Sequence, residues 1–279
     1  MGLFNKKKVI VPVIPAESQD VKVRCTSCGR LIDYDALKKN LKVCPHCGYH
    51  FRMSAAERIA LLTDKGSFKE IGSPISSVDS LHFRDTVSYA ERLKKLRDTI
   101  GLPNAVLTGT GKIDGVLTSI GVFAFEFISG TLGSATGEKL TELFEFAGKN
   151  DLPAIVVFSS AGERIQEGIY SLMQVAKVIQ AIEDYKKSGG FFISVLTNPV
   201  LGGPAVIAMG GDVIVAEAGS YVGVSGPRVS EQVMKRALPK EAQKVELLQK
   251  KGFVDIVVTR FQLKETLGSI LKFYRRWSL

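Results

Sequence analysis

Four cysteines are the residues of this chain best suited to bind a metal. They form two Cys-x2-Cys pairs, Cys25 with Cys28 and Cys44 with Cys47, and fifteen residues separate the pairs. Two residues between paired cysteines let both thiolates reach one ion, and two pairs complete a tetrahedral set. The sequence therefore predicts a structural zinc ribbon with these four cysteines as its ligands.

Two disulfides are the alternative use of four cysteines, and we reject it because nothing predicts export. The apolar run that follows the first lysines is short, is broken by Pro12 and Pro15, and lacks a cleavage site. His46 and His50 lie beside the cysteines. Because four thiolates already satisfy the ion, both histidines are predicted to be surface residues.

Beyond the ribbon, the residue inventory excludes several kinds of catalysis. Residues 83–279 contain no histidine and residues 48–279 contain no cysteine. A Ser-His-Asp triad, a Cys-His pair and a histidine metal site are therefore impossible there, and no G-x-x-x-x-G-K-[S/T] phosphate loop occurs. Catalysis in this part of the chain would rest on backbone groups.

Glycine-rich segments at 129–134, 159–164 and 198–204 each follow a predicted strand. The first amides of a helix point outward unsatisfied, so such junctions can hold a phosphate or stabilise an oxyanion. Tight turns in any α/β fold also need glycine, so both explanations stay open on the residues alone.

Strands and helices alternate along most of the chain, which predicts a layered α/β domain. Ser54 and Glu57 form a capping box for a helix at 54–62. Further helices are predicted at 89–98, 136–147, 172–179, after 203 and at the C-terminus, with strands at 106–110, 113–120, 122–127, 154–158, 191–196, 212–216 and 254–258.

Composition and charge divide the chain into four parts: a flexible basic N-terminus (1–20), the zinc ribbon (21–52), a helical connector (53–104) and the main domain (105–279). The net charge is +9. Most of the excess lies before residue 53, where it would suit nucleic acid, an acidic partner or a polyanionic ligand. No apolar run is long enough to span a membrane, so we expect a cytoplasmic protein.

A series of landmarks runs through the chain in a fixed order behind the ribbon. They are Ala56-Glu57-Arg58-Ile59, Tyr89-Ala90-Glu91-Arg92-Leu93, Gly133-Ser134-x-x-Gly137-Glu138-Lys139, Arg164-x-Gln166-Glu167-Gly168, Thr197-Asn198-Pro199-x-x-Gly202-Gly203, Gly211-Asp212-x-x-x-Ala216-Glu217 and Gly226-Pro227-Arg228-Val229. With these landmarks the chain resembles the β subunit of bacterial acetyl-CoA carboxylase carboxyltransferase over nearly its whole length.

The resemblance implies a crotonase-like (ClpP/crotonase) spiral of ββα units behind the ribbon. It also implies transfer of a carboxyl group from carboxybiotin to acetyl-CoA, giving malonyl-CoA for fatty acid biosynthesis. The implied partners are a carboxyltransferase α subunit in an α2β2 heterotetramer, the biotin carboxyl carrier protein and biotin carboxylase.

The same resemblance implies site residues. The amides of Ala161 and Gly162 would face the thioester oxygen, and Gly202 and Gly203 would line a second glycine-rich turn. Lys139 and Arg164 would steer phosphates of coenzyme A or hold the loop, and a solvated surface position or a salt bridge is the alternative for each. Glu138 and Glu167 are interpreted as helix N-terminal charges.

The chain departs from the family pattern at the proposed oxyanion turn. The family usually has Ser-Gly-Gly-Ala-Arg, and this chain has Ala161 and Glu163 at the second and fourth positions. Alanine resists a positive φ, and a carboxylate beside a developing negative charge would oppose catalysis unless it points away or pairs with Arg164. Pro204 follows the second turn and donates no hydrogen bond.

Two other functions stay open on the sequence. A divergent paralogue would act on another short acyl-CoA or serve as a scaffold. A basic zinc ribbon could also bind nucleic acid, which we rank second because few aromatic residues accompany its basic residues.

Overall fold

The computed structural model describes residues 21–72, 74–239 and 241–277, so the predicted basic segment 1–20 lies outside the described residues. In chain order the elements are β1 (Lys22–Arg24), β2 (Leu31–Asp33), α1 (Tyr34–Lys39), α2 (Ala55–Leu62), β3 (Lys69–Glu70), α3 (Tyr89–Ile100), β4 (Val106–Ile113), β5 (Val116–Phe123), α4 (Ser134–Lys149), β6 (Ala154–Ser160), α5 (Ile169–Lys187), β7 (Phe192–Leu201), α6 (Gly203–Ala208), β8 (Val213–Glu217), β9 (Val222–Gly223), α7 (Pro227–Met234), α8 (Val245–Lys250), β10 (Ile256–Val258) and α9 (Arg260–Trp277).

The ribbon is a small unit with its own core. Strands β1 and β2 pair antiparallel, and α1 follows β2 directly. Ile32 and Leu37 are buried there together with Cys25 and Cys44. Few side chains form this core, so the ribbon depends on its cysteines as well as on apolar contacts.

One large sheet organises the rest of the described chain. Its strand order is β10-β8-β7-β6-β5-β4-β3, and β9 pairs with β7. Pairing is parallel from β10 to β5 and antiparallel from β5 to β3. Parallel strands run in one direction, so the carboxyl ends of β6 and β7 lie side by side at one edge of the sheet.

Helices cover both faces of this sheet, as the alternating pattern predicts. Helices α4 and α5 pack against one face through residues such as Phe144 and Ile182. Helices α2, α3 and α9 pack against the other through Leu62, Leu93 and Leu267. The residues with helical periodicity are therefore those that cover the sheet.

The predicted helices at 54–62 and 89–98 are confirmed. Helix α2 begins after Ser54 with the predicted capping box, and α3 begins after Ser88 with a second one, completed by Glu91. The four-part division of the chain stays a prediction. Strand β3, from the predicted connector, adds to the edge of the large sheet.

The three strands predicted between 106 and 127 are two, which corrects the sequence analysis. The hairpin turn is at Asp114 and Gly115, with φ of +50° and +82°. Gly111 and Gly121 lie inside β4 and β5, where they pair with Thr118 and Thr108. Ladder hydrogen bonds hold both glycines extended, so they do not end a strand.

None of the helices in the described part of the chain has the length and apolar character needed to cross a membrane.

Candidate active site and metal centre

The four cysteine side chains meet at one point of the ribbon. Their sulfur atoms all lie within 4.8 Å of one another. Cys25 Sγ is 3.7 Å from Cys47 Sγ, and Cys28 Sγ is 3.9 Å from Cys44 Sγ. Sulfurs placed about 2.3 Å from a central ion are about 3.8 Å apart in a tetrahedron. The four cysteines therefore form a set that could bind one metal ion.

A glycine after each cysteine pair completes the turn that carries the thiols. Gly29 and Gly48 have φ of +73° and +71°, a conformation that side chains disfavour. Their N–H groups donate to Cys25 O and Cys44 O, both at 2.9 Å. Two similar turns therefore present the two cysteine pairs to one another.

The thiols differ in acidity because their surroundings differ. Burial raises the pKa of the Cys44 thiol to about 11. Burial acts in the same direction on Cys47, but hydrogen bonds from the Tyr49 backbone and from the neighbouring thiols lower its pKa to about 7.

One of the two histidine predictions is wrong. His46 is exposed, as predicted, and its Nδ1 lies 3.3 Å from Nη1 of Arg30. His50 is buried, and its Nδ1 lies 3.6 Å from Glu217 Oε2. His50 therefore belongs to the contact between the ribbon and the large sheet.

That contact is centred on Glu217, and we call Glu217, Arg58, Arg260 and His50 the Glu217 junction. Glu217 is 1% exposed. Arg58 donates to both of its carboxylate oxygens, and so does Arg260, at 2.9 and 2.8 Å. Burial raises the pKa of Glu217, but the charge of Arg58 and the hydrogen bonds of Arg260 outweigh it and hold the pKa well below its usual range. Arg260 also donates to Leu41 O at 2.9 Å, which ties the ribbon to the sheet.

The three glycine-rich junctions converge at the carboxyl edge of β6 and β7. A Cβ on Gly130 would collide with the carbonyl oxygen of Ser159, and a Cβ on Gly202 would lie 2.9 Å from Gly162 Cα. Gly130, Gly162 and Gly202 all have positive φ. Both the close approach and the backbone conformation therefore require glycine at this edge.

The first predicted pair of amides already donates within the chain. Ala161 N donates to Ser129 O at 3.0 Å, and Gly162 N donates to Ser160 Oγ at 3.1 Å. That these amides face the thioester oxygen stays a prediction. Neither amide reaches a substrate oxygen unless its present acceptor is replaced.

The amides of the second pair, which we call the Gly202–Gly203 turn, also donate to acceptors within the chain. Gly202 N donates to Gly223 O at 3.0 Å, and Gly203 N donates to Glu163 Oε1 at 2.7 Å. Glu163 therefore points toward this turn, and its closest bonded partner is an uncharged amide. Glu163 therefore contacts the turn and does not pair with Arg164.

The backbone accommodates two of the departures from the family pattern. Ala161 does not have a positive φ, so its side chain adds no strain there, and Gly162 beside it takes φ +119°. Pro204 lies in the first turn of α6, where the missing N–H has no helical acceptor to lose.

Arg164 is fully buried, and its side chain connects the two glycine-rich segments 129–134 and 159–164 from inside the protein. Its guanidinium donates to Thr131 O at 2.5 Å, to Thr131 Oγ1 at 3.0 Å and to Ser77 Oγ at 2.9 Å. The same group lies 3.4 Å from Glu167 Oε1. These contacts favour the predicted loop-holding role. Binding of coenzyme A by Arg164 stays a prediction that its burial does not favour.

Glu167 caps helix α4, which confirms its interpretation as a helix N-terminal charge. Its Oε2 accepts from both N and Oγ of Ser134 at 2.6 Å, and its Oε1 accepts from the Tyr89 hydroxyl at 2.7 Å. Burial raises the pKa of Tyr89, so the phenol stays protonated as the donor. The sequence did not indicate that Tyr89 contacts Glu167 or that Ser77 contacts Arg164, because these residues come from a segment far away in the chain.

Lys139 and Glu138, neighbours on α4, have different surroundings. Lys139 is buried and donates to Ile71 O at 2.9 Å, and burial lowers its pKa. Its predicted binding of coenzyme A is untested, and its burial does not favour it. Glu138 pairs with Lys177 on the exposed side of α4 and α5. Its interpretation as a helix N-terminal charge is wrong, because the first turn of α4 contains no acidic residue.

The family model that matches this chain is the carboxyl transferase domain, over residues 51–260. The fold and this match define a carboxyl transferase. The acetyl-coenzyme A carboxylase carboxyl transferase β subunit of Synechococcus sp. (strain WH7803) is 40% identical over 98% of this chain and 97% of its own length. The chloroplastic β subunit of Pyropia yezoensis is 43% identical over 98% of this chain and 93% of its own length. The chain belongs to the acetyl-coenzyme A carboxylase carboxyl transferase β-subunit family.

Solved structures agree with this fold. Transcarboxylase 12S with methylmalonyl-coenzyme A and methylmalonic acid bound has a TM-score of 0.64 and 25% identity, over 77% of this chain and 41% of that one. The Pseudomonas malonate decarboxylase MdcD-MdcE heterodimer has a TM-score of 0.61 and 21% identity, over 80% of this chain and 86% of that one. The predicted crotonase-like α/β fold is confirmed.

Proposed function

We propose that this chain is the β subunit of the carboxyltransferase component of acetyl-CoA carboxylase and acts in the cytoplasm. It would transfer the carboxyl group of carboxybiotin, held on the biotin carboxyl carrier protein, to acetyl-CoA and form malonyl-CoA. An α-type subunit would complete an α2β2 heterotetramer, and biotin carboxylase would supply the carboxybiotin. The observation that supports this most is the meeting of Gly162 and Gly202 at the carboxyl edge of the sheet.

Carboxyl transfer requires N–H groups where negative charge develops. A C–H bond of the acetyl methyl group breaks, the carboxyl group leaves its biotin nitrogen, and a new C–C bond forms. Biotin that has lost its carboxyl group can accept the proton, so the absence of histidine from residues 83–279 is no obstacle. The charge moves to the thioester oxygen in the enolate, where fixed N–H donors stabilise it.

The donors proposed for that oxygen are the amides of Ala161 and Gly162, and Gly202 and Gly203 are proposed to line the second turn of the site. Each has an acceptor within the chain, so the substrate oxygen must replace that acceptor when the donor is used. The Gly162 amide donates to a side-chain hydroxyl, that of Ser160, which can rotate, whereas the Ala161 amide donates to the backbone carbonyl of Ser129, which cannot. The Gly162 amide is therefore the donor we expect to be released most easily.

We further propose that the ion of the ribbon is zinc. Four thiolates at tetrahedral spacing leave no open ligand position, so the ion would stabilise the ribbon and take no part in carboxyl transfer. Cys25, Cys28, Cys44 and Cys47 would hold it.

The test is formation of malonyl-CoA from acetyl-CoA and carboxybiotin by the chain mixed with a cognate α-type subunit. We expect activity in the mixture and none with either subunit alone. Gly202→Ala should lower that activity roughly a hundredfold, because its Cβ would force the two turns apart. Activity of the chain alone, or none in a stable mixture, would contradict the assignment.

Gly189→Ala is the matched control. Gly189 also has a positive φ, +89° against +66° at Gly202, but a Cβ there meets nothing within 4 Å. Both substitutions therefore strain the backbone, and only Gly202→Ala disturbs the turns. Propionyl-CoA in the same assay tests the alternative of another short acyl-CoA.

A further inference from the structure

Glu163 fills the gap beside the Gly202–Gly203 turn. Its Oε1 accepts from Gly203 N at 2.7 Å. A Cβ built on Gly202 would lie 2.5 Å from Glu163 Oε2, and one built on Gly203 would lie 2.9 Å from Glu163 Oε1. Both carboxylate oxygens therefore rest against the turn. The acid comes from the facing junction, one residue after Gly162.

The charge of Glu163 has no ion-pair partner within 4 Å among the described residues. The adjacent Arg164 turns inward to Thr131, Ser77 and Glu167, so it does not neutralise Glu163. The Glu163 side chain is half-buried. Partial removal of water strengthens its repulsion of a second negative charge at the turn.

We propose that Glu163 is a specificity-determining residue that disfavours acyl-CoAs whose acyl group carries a carboxylate. This inference rests on the proposed function, since it places the thioester carbonyl at the two turns. In malonyl-CoA the free carboxylate is one carbon away from that carbonyl, so it approaches Glu163. Acetyl-CoA has an uncharged methyl group there. Glu163 would therefore weaken binding of the product more than binding of the substrate and favour product release.

The test compares the binding of malonyl-CoA and acetyl-CoA to the complex of this chain with its α-type subunit, by isothermal titration calorimetry. Both ligands carry the same coenzyme A phosphates, so the ratio of their Kd values isolates the acyl group. Glu163→Gln keeps an oxygen that can accept from Gly203 and removes the charge. We expect it to lower the Kd of malonyl-CoA roughly fivefold or more and to change that of acetyl-CoA less than about twofold.

Glu246→Gln is the matched control, because Glu246 also accepts a glycine amide, Gly219 N at 2.6 Å, in a loop outside both turns. It should leave both Kd values unchanged. Higher ionic strength should reduce the effect of Glu163→Gln, because the effect is a repulsion of charges. A role of Glu163 in merely holding the turn would instead change both Kd values together.

Two failures can be told apart. If the wild-type complex binds neither acyl-CoA, the proposed function fails and this inference fails with it. If both bind and Glu163→Gln leaves the ratio of Kd values unchanged, only the role of Glu163 is overturned. Glu163→Ala should lower the malonyl-CoA Kd at least as much as Glu163→Gln, and a weaker affinity for malonyl-CoA would also overturn the proposal.

Discussion

Two glutamates of this chain contact residues far away in the sequence, and they differ in what surrounds the charge. Glu217 is buried between Arg58 and Arg260, which donate to both of its oxygens. Glu163 is half-buried, and its hydrogen-bond partner is the uncharged amide of Gly203. One charge is compensated by two cations, and the other is not.

This difference separates a structural role from a functional one. A buried carboxylate with two arginines cannot move without leaving charges unpaired in a dry environment, so the Glu217 junction fixes the ribbon on the sheet. A half-buried carboxylate on one amide can be displaced at modest cost by water or by another acceptor. We therefore expect changes at the ribbon and its junction to affect stability, and changes at the Gly202–Gly203 turn to affect ligands.

Removal of the metal should have the largest effect in this comparison. A chelator should abolish amide hydrogen-exchange protection throughout residues 21–52, because metal binding supplies about 10–16 kcal/mol in comparable small zinc units. Strands β6 and β7 should keep their protection, since their core lies in the sheet. Exchange is measured by mass spectrometry on peptic fragments.

Cys44→Ser, which removes one thiol without a chelator, should reproduce the same pattern. Ribbon amides that stay protected after chelation would show that the Glu217 junction, rather than the ion, holds the ribbon in place.

Substitution at the Glu217 junction should have the next largest effect. Glu217→Gln leaves Arg58 and Arg260 buried without a counter-charge, so we expect the free energy of unfolding to fall by about 3–5 kcal/mol. Urea denaturation followed by circular dichroism measures it. Glu163→Gln is the control and should change this free energy by less than about 1 kcal/mol. Equal losses in the two variants would remove the distinction between the two glutamates.

Lowering the pH should reduce the stability that the Glu217 junction contributes. The pKa of Glu217 is lowered by folding, so its ionised form contributes stability above the unfolded pKa of about 4.3. That stability is lost as the pH falls through the lower pKa of the folded state. The wild type should therefore lose more stability below about pH 4 than Glu217→Gln, which has no acid to protonate there. Equal losses of stability in the wild type and in Glu217→Gln at low pH would contradict this assignment.

The ribbon was predictable because its chemistry is local. Two residues between cysteines and a glycine after each pair define both turns, and no distant residue is needed to place the thiols. The helices at 54–62 and 89–98 were predictable for the same reason, since their capping residues lie within three positions of each other.

The side chains that contact the glycine-rich turns could not be predicted from the local sequence pattern. Gly203 is satisfied by Glu163, which is forty residues earlier in the chain, and helix α4 is capped by Glu167, thirty-three residues after Ser134. The order of strands in the sheet decides which junctions meet, and spacing along the chain does not encode it. His50 was misplaced for a related reason, because the residue that its ring lies beside, Glu217, is far away in the sequence.

The smallest expected effect is at Glu138, a glutamate that is compensated but exposed. It pairs with Lys177, and both side chains are about 40% exposed, at 39% and 42%. Water screens this pair and both side chains lose entropy on pairing, so Glu138→Gln should change the free energy of unfolding by less than about 1 kcal/mol. A double-mutant cycle with Lys177→Gln in urea measures the coupling. If the coupling energy of Glu138 and Lys177 equals the loss of unfolding free energy in Glu217→Gln, a cationic partner alone determines how much a glutamate stabilises the fold. A small coupling energy would mean that the glutamate must also be buried.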